Sequence, residues 1–175
     1  MIHETRKLPA IYLKPGELYI DDQPGIVTTV LGSCVSVTLY SPRNRTAAIC
    51  HGMMPRWAET ERDKGPHKER FKYVDYAIRY MMKVFRSFGL KPREIEVKLF
   101  GGANLFSSAD DGGPRVPVGR QNVITALEVM EEEGLVLARQ DVGGMQGRKL
   151  HFYLHTGEVF VKKLEASEQF DIIML

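Results

Sequence analysis

The sequence predicts a mixed α/β fold of the α+β type: a single-domain sandwich of mostly antiparallel β-sheet carrying two long amphipathic helices. Three observations lead there. Short β-branched runs with period-2 alternation recur along the chain, two stretches carry apolar residues at helical spacing, and Gly, Pro and Ser punctuate the joins. With 175 residues, 43% of them hydrophobic and 26% charged, the chain is long enough for one domain to bury its own core.

Residues 1–16 are polar with two prolines and are expected to form a loosely held N-terminal arm, leaving 17–175 as one domain. Ile26–Val30 is β-branched and uncharged, a strand, and Leu31-Gly32-Ser33 ends it. Val35, Val37 and Leu39 then alternate with Ser36, Thr38 and Tyr40. A loop over 41–45 leads to the short apolar run 47–51, a buried strand. The charged 56–70 segment contains Gly-Pro and reads as an exposed loop. Tyr73, Val74, Ala77, Ile78, Met81, Met82, Phe85 and Phe88 follow helical spacing, and Gly89 suits the helix end. Residues 96–100 form a strand that ends at Gly101-Gly102, and 118–133 form a second helix that Gly134 stops. Strands are expected over 135–140, 149–155 and 158–163, the last two joined as a hairpin through Thr156-Gly157.

Several function classes are excluded at this level. A net charge of +2 is too small to argue for a nucleic-acid footprint, which needs Lys and Arg gathered into a patch. Two cysteines, Cys34 and Cys50, cannot build a disulfide framework, which favours a reducing compartment. The first residues lack the apolar core of a secretion signal. The longest uncharged stretch, from Gln23 to Pro42, is interrupted by Thr, Ser, Gly and Pro, whereas a membrane helix needs about 20 mostly apolar residues. A cytoplasmic protein without membrane insertion is expected.

Cys34 is the first chemical candidate. It follows Gly32-Ser33 at the start of a strand, where a side chain and backbone N–H groups can point outward together. Strand alternation puts it on the face of Ser36 and Thr38. His51 is the second. If residues 36–40 and 47–51 form an antiparallel hairpin with Tyr40 facing Thr46, His51 faces Val35; a shift of one puts it opposite Cys34 or Ser36. Each register brings His51 to the Cys34 end, with Cβ atoms about 5 Å apart if opposed and about 7–8 Å if diagonal. Register also decides whether the two share a face, and alternation leaves that open. An imidazole beside a thiol can generate the thiolate nucleophile, and a third group usually orients the ring. Thr28, Ser33 and Ser36 are all near enough in sequence to serve.

Other constellations carry less. Cys34, Cys50 and His51 lack the paired C-x-x-C of zinc sites, and Cys50 alternates away from His51 into the core. His151 and His155 lie on an expected strand, where four residues span about 13 Å, too far for one metal. No metal or cofactor is expected. The glycine pairs at 101–102, 112–113 and 143–144 lack a phosphate-loop lysine and read as turns. Asp110-Asp111 reads as a solvated loop. Asn104 and Arg148, beside glycines, are candidates for a substrate groove. Asp75 and Arg79, four apart on a helix, read as a surface pair.

The blocks 28–37 (TTVLGSCVSV), 50–55 (CHGMMP) and 73–78 (YVDYAI) closely resemble the CheD family of chemoreceptor glutamine deamidases. Residues 100–103 (FGGA) and 141–149, with Gly143-Gly144 and Gly147-Arg148-Lys149, fit its later blocks, so the resemblance runs over about residues 17 to 163. It implies an α/β sandwich with a Cys–His–Thr site similar to that of bacterial toxin deamidases. It also implies Cys34 as nucleophile, His51 as base and Thr28 as third member; backbone N–H groups near Ser33 and Cys34 are the expected oxyanion donors. The implied reaction converts glutamine side chains of methyl-accepting chemotaxis receptors to glutamate through a cysteine thioester. A CheC-type phosphatase is a second implied partner, and a non-catalytic receptor- or phosphatase-binding adaptor using the same groove is the alternative. On this reading a catalytic Cys34 is alkylated fast at neutral pH and a structural one is not.

Overall fold

The computed structural model describes residues 7–58, 66–104 and 116–165. Among the described residues, nine strands make two sheets. The larger sheet holds β2 (Leu18–Asp21), β5 (Ala47–Cys50), β4 (Val35–Tyr40), β6 (Glu96–Gly101) and β7 (Leu137–Val142), in that order. The smaller holds β1 (Ala10–Tyr12), β3 (Ile26–Leu31), β8 (Arg148–Tyr153) and β9 (Val159–Lys163). Pairing is antiparallel except for β1 with β3 and β6 with β7, so the expected sandwich of mostly antiparallel sheet is present.

The larger sheet is the middle layer. Val35, Val37, Leu39, Val97 and Leu99 face two helices, α1 (Val74–Ser87) and α2 (Val118–Glu132). The other face of the sheet, which in β5 carries Ala47 and Ile49, packs with Val27 and Phe152 of the smaller sheet. Burial on both faces explains why β4 and β5 are almost wholly buried, whereas β3 and β8 alternate between buried and half-buried residues. The α1 stripe of Val74, Ala77, Ile78, Met81, Met82 and Phe85 is the one its spacing predicts. The described helices include none long and apolar enough to cross a membrane.

Two expectations need correction, and the hairpin register left open is fixed. The described part of the arm is held rather than loose: β1 pairs with β3, and Leu13 is buried in the core. An apolar Ile-Tyr-Leu run outweighs its flanking prolines, because it covers an otherwise bare edge of β3. Asp75 and Arg79 do not pair with each other. Asp75 accepts the Trp57 N–H at 2.8 Å, while Arg79 crosses to Glu132 and Glu133 of the neighbouring helix. Among the registers the hairpin allowed, Tyr40 pairs with Ala47, one step from Thr46, and the Ser41 N–H donates across the turn to the Thr46 carbonyl at 2.9 Å. Asp110-Asp111, Gly112-Gly113 and part of the 56–70 loop lie outside the described residues.

Candidate active site

The register of β4 against β5 brings Cys34 and His51 onto one face. Thr38 pairs with Ile49, and the ladder continues in register as a bridge between Val35 and Gly52, with N···O distances of 2.9 and 2.8 Å. Ser36 therefore lies opposite His51, and Cys34 lies diagonal to it, on the face turned to the smaller sheet. Diagonal neighbours have Cβ atoms about 7–8 Å apart, a gap that a thiol and an imidazole reach across.

His51 is buried, 2% exposed, and its ring is held from the smaller sheet. Thr29, fully buried on the inner face of β3, has its Oγ1 at 2.7 Å from His51 Nδ1. The same hydroxyl donates its single hydrogen to the Leu13 carbonyl at 2.8 Å. Towards His51 it must then accept, which places the proton on Nδ1 and leaves Nε2 with a free lone pair.

The hydroxyl on His51 thus belongs to Thr29 and not to Thr28. Thr28 points to the other face of β3, where its Oγ1 lies 2.9 Å from Nδ1 of His151. Strand alternation is the physical reason, since adjacent residues cannot both face inward. The signal was present in the sequence: Val27, Thr29 and Leu31 form one face, and its lone polar member sits between two core residues.

Burial sets the electrostatics. It pushes the Cys34 thiol up to about 11 and the His51 imidazole down to about 4, the latter opposed by a bond to the Leu13 carbonyl. The resting pair is therefore neutral thiol and neutral imidazole, not a preformed thiolate–imidazolium pair. A neutral imidazole in this position is chemically able to take up a thiol proton as a general base. Cys50, fully buried on the helix-facing side, is core, as alternation predicts.

Cys34 opens into a cavity of about 410 Å³, lined with it by Ser33, Met53, Met54, Ala103, Asn104 and the start of α2 at Pro117, Val118 and Gly119. Its floor is held by close backbone approach. Gly102 N–H donates to the Cys34 carbonyl at 2.8 Å, and Ala103 N–H to the Gly32 carbonyl at 3.0 Å. Gly101, at φ +103°, leaves no room for a side chain, since a Cβ there would stand 2.3 Å from the Cys34 oxygen. Gly119 lets α2 approach: a Cβ there would stand 2.5 Å from the Ala103 oxygen.

The expected groove residues divide. Ser33 and Asn104 line the cavity, and Asn104 Oδ1 is buried with no partner among the described residues. Ser36 does not line it: it is fully buried and donates to the Cys50 carbonyl at 2.7 Å. Arg148 does not line it either. It is 1% exposed, paired with Asp141 at 2.8 Å and donating to the Gly143 and Gln146 carbonyls. The β8 alternation that buries Leu150 and Phe152 also turns Arg148 inward, where Asp141 neutralises it. A residue that spacing did not single out is Asn122 of α2, fully buried, whose Nδ2 donates at 3.1 Å to both the Ser33 and Met53 carbonyls. Its sign in the sequence is a polar residue on the stripe that carries Gly119, Ala126 and Val129 into the core.

Comparison with known proteins identifies the family. The family model described as CheD chemotactic sensory transduction matches residues 53–163. A relative from Geobacter sulfurreducens, called a probable chemoreceptor glutamine deamidase CheD 2, is 48% identical over 162 residues, covering 93% of this chain and 94% of that one. Proteins called probable chemoreceptor glutamine deamidase CheD from Maridesulfovibrio salexigens and Thermococcus kodakarensis are 42% and 33% identical, over 89% and 85% of this chain and 92% and 89% of theirs. Among solved structures, the hypothetical protein YfiH of Bacillus licheniformis matches at a TM-score of 0.44 and 14% identity, over 73% of this chain and 49% of that one. With near-full-length similarity to proteins of that name at up to 48% identity, the chain belongs to the CheD family.

Proposed function

We propose that this protein is a protein-glutamine deamidase, an amidohydrolase acting on linear amides, whose substrates are glutamine side chains in the cytoplasmic part of methyl-accepting chemotaxis receptors. The observation that carries the reading is the shared face of Cys34 and His51 beside a cavity whose described lining is uncharged, with His51 held by Thr29 in the tautomer that a base requires.

The reaction runs as acyl transfer. Cys34 Sγ attacks the carboxamide carbon while its proton passes to His51 Nε2. The oxyanion takes backbone N–H bonds at the Ser33–Cys34 turn. As the C–N bond breaks, Nε2–H gives its proton to the nitrogen, and ammonia leaves a thioester. Water then attacks that thioester, giving one proton to Nε2. The C–S bond breaks, the thiol regains the proton, and the product is glutamate. Thr29 stabilises the transient imidazolium by accepting from Nδ1–H. Asn104 Oδ1, otherwise unpartnered, accepts from the carboxamide NH₂ and favours an amide over a carboxylate.

The substrate is a glutamine presented by another protein. Free glutamine carries two charges, and a selective site would need charged partners for both. None of the described cavity residues is charged. An adjoining groove of about 720 Å³, sharing Met54 and Val118 with the cavity, runs along α2 past Ile124, with Arg56 paired to Glu128 on its wall. It offers an apolar surface beside the cavity for a helix, whose binding energy orients the amide. Ammonia release is compared on free glutamine and on a helical receptor fragment. Turnover of the fragment alone is expected. Efficient release from free glutamine with no conversion on the fragment refutes the reading, and tight fragment binding without conversion indicates the adaptor instead. A CheC-type phosphatase as second partner is tested by co-purification.

A further inference from the structure

We infer that Asn122 is a positioning residue for the reaction: its amide locks the Ser33–Cys34 peptide so that the Cys34 N–H faces the reacting carbonyl. The inference rests on the deamidase reading. Asn122 is fully buried, and both hydrogens of its Nδ2 are spent on backbone carbonyls, Ser33 and Met53, each at 3.1 Å. Those two carbonyls flank the site. One belongs to the residue before the nucleophile, and the other lies just beyond His51, where Val35 and Gly52 close the ladder. A single side chain on α2 therefore fastens the nucleophile turn and the base-bearing segment to the helix whose first residues wall the cavity.

The geometry of the peptide bond carries the rest. The described residues contain no cis peptide, and in a trans peptide the C=O and the next N–H point in opposite directions. Holding the Ser33 oxygen towards α2 turns the Cys34 N–H away from it, and that N–H is the backbone donor that works against burial in lowering the Cys34 thiol. The Cys34 carbonyl is fixed independently by Gly102 N–H at 2.8 Å. Both peptide planes around the nucleophile are thus pinned, the first of them by Asn122.

The test uses Asn122→Ala and Asn122→Asp in the full chain, with receptor fragments as substrate and melting followed under assay conditions. Loss of one aligned oxyanion donor is worth about 10²–10³ in kcat. A fall of that order in kcat is expected for folded Asn122→Ala, with KM changed by less than about threefold. Asn122→Asp sits against two carbonyls and donates only while protonated, so its kcat should fall as pH rises, with the wild type level over the same range. Iodoacetamide labelling of Cys34 at pH about 9 gives a readout independent of substrate. It should slow several-fold in folded Asn122→Ala and, at that pH, in Asn122→Asp, because the thiolate loses its nearest donor. Wild-type kcat in either folded variant, a loss confined to KM, a pH profile of Asn122→Asp parallel to the wild type, or unchanged labelling each overturns the inference. Slowed labelling together with a wild type that converts no receptor glutamine supports the positioning role and sinks the deamidase reading.

Discussion

Replacing Thr29 by Val keeps the shape of the side chain and removes its hydroxyl. Two bonds go with it, one to the Leu13 carbonyl at 2.8 Å and one to His51 Nδ1 at 2.7 Å. A buried polar group left without its partner costs about 1–3 kcal/mol. The His51 ring also has the Leu13 carbonyl as a hydrogen-bond partner, which puts the loss of folding stability towards the low end of that range. The same loss weakens the preference for the Nδ1–H tautomer. At 1.4 kcal/mol per factor of ten, kcat should drop by about 5- to 150-fold, with KM nearly unchanged. Thr29→Ser keeps the hydroxyl and should recover most of the rate. Thr28→Val, on the outer face, loses only the half-buried bond to His151 and should retain near-wild-type turnover. Gln-to-Glu conversion on receptor fragments, measured by peptide mass spectrometry for all three, decides the matter. Full activity in folded Thr29→Val, or an equal loss in Thr28→Val, refutes the assignment of the ring-holding hydroxyl.

The remaining expectations concern charge state and packing. His51, held at about 4 when folded against an ordinary 6.5, stays neutral in the fold, whereas the unfolded chain binds its proton below 6.5. Its contribution is fully present above pH 6.5 and lost as pH falls towards 4, in total about 3 kcal/mol; urea denaturation between pH 7 and 4 should show that slope, and His51→Gln should flatten it. Cys34, raised to about 11, should be alkylated slowly at pH 7, with a rate that climbs about tenfold per pH unit above it; a plateau near neutral pH would establish a preformed thiolate instead. Gly101→Ala should lower the melting temperature sharply and abolish turnover, because its Cβ collides with the Cys34 oxygen in a backbone region that L residues rarely adopt; near-wild-type melting would show that the β6 end is free to shift.

Much of this was legible in the sequence because the relevant patterns are local. Apolar spacing located α1 and α2, and alternation set Cys34 with Ser36 and Cys50 with the core. Hairpin arithmetic confined His51 to the Cys34 end. What escaped was set by long-range partners. Thr28 and Thr29 lie on a strand whose two faces are both partly apolar, and only the smaller sheet stacked on β4 and β5 decides which hydroxyl meets His51. Arg148 beside glycines looks like a groove residue until β7 brings Asp141 against it. Asn122 lies far along the chain from Ser33 and Met53, and no spacing rule joins them. The sequence-level expectation of a fast-reacting Cys34 omitted burial, which favours the neutral pair.

Peptide mass spectrometry of a receptor cytoplasmic fragment, incubated in parallel with wild-type protein, Cys34→Ser and Cys50→Ser, tests the central claim most directly. The account predicts conversion of specific receptor glutamines to glutamate by the wild type, with ammonia released in equal amount. It predicts most of that activity in Cys50→Ser and none in folded Cys34→Ser. Conversion by Cys34→Ser at the wild-type rate, or a dead but folded Cys50→Ser beside an active Cys34→Ser, would contradict it.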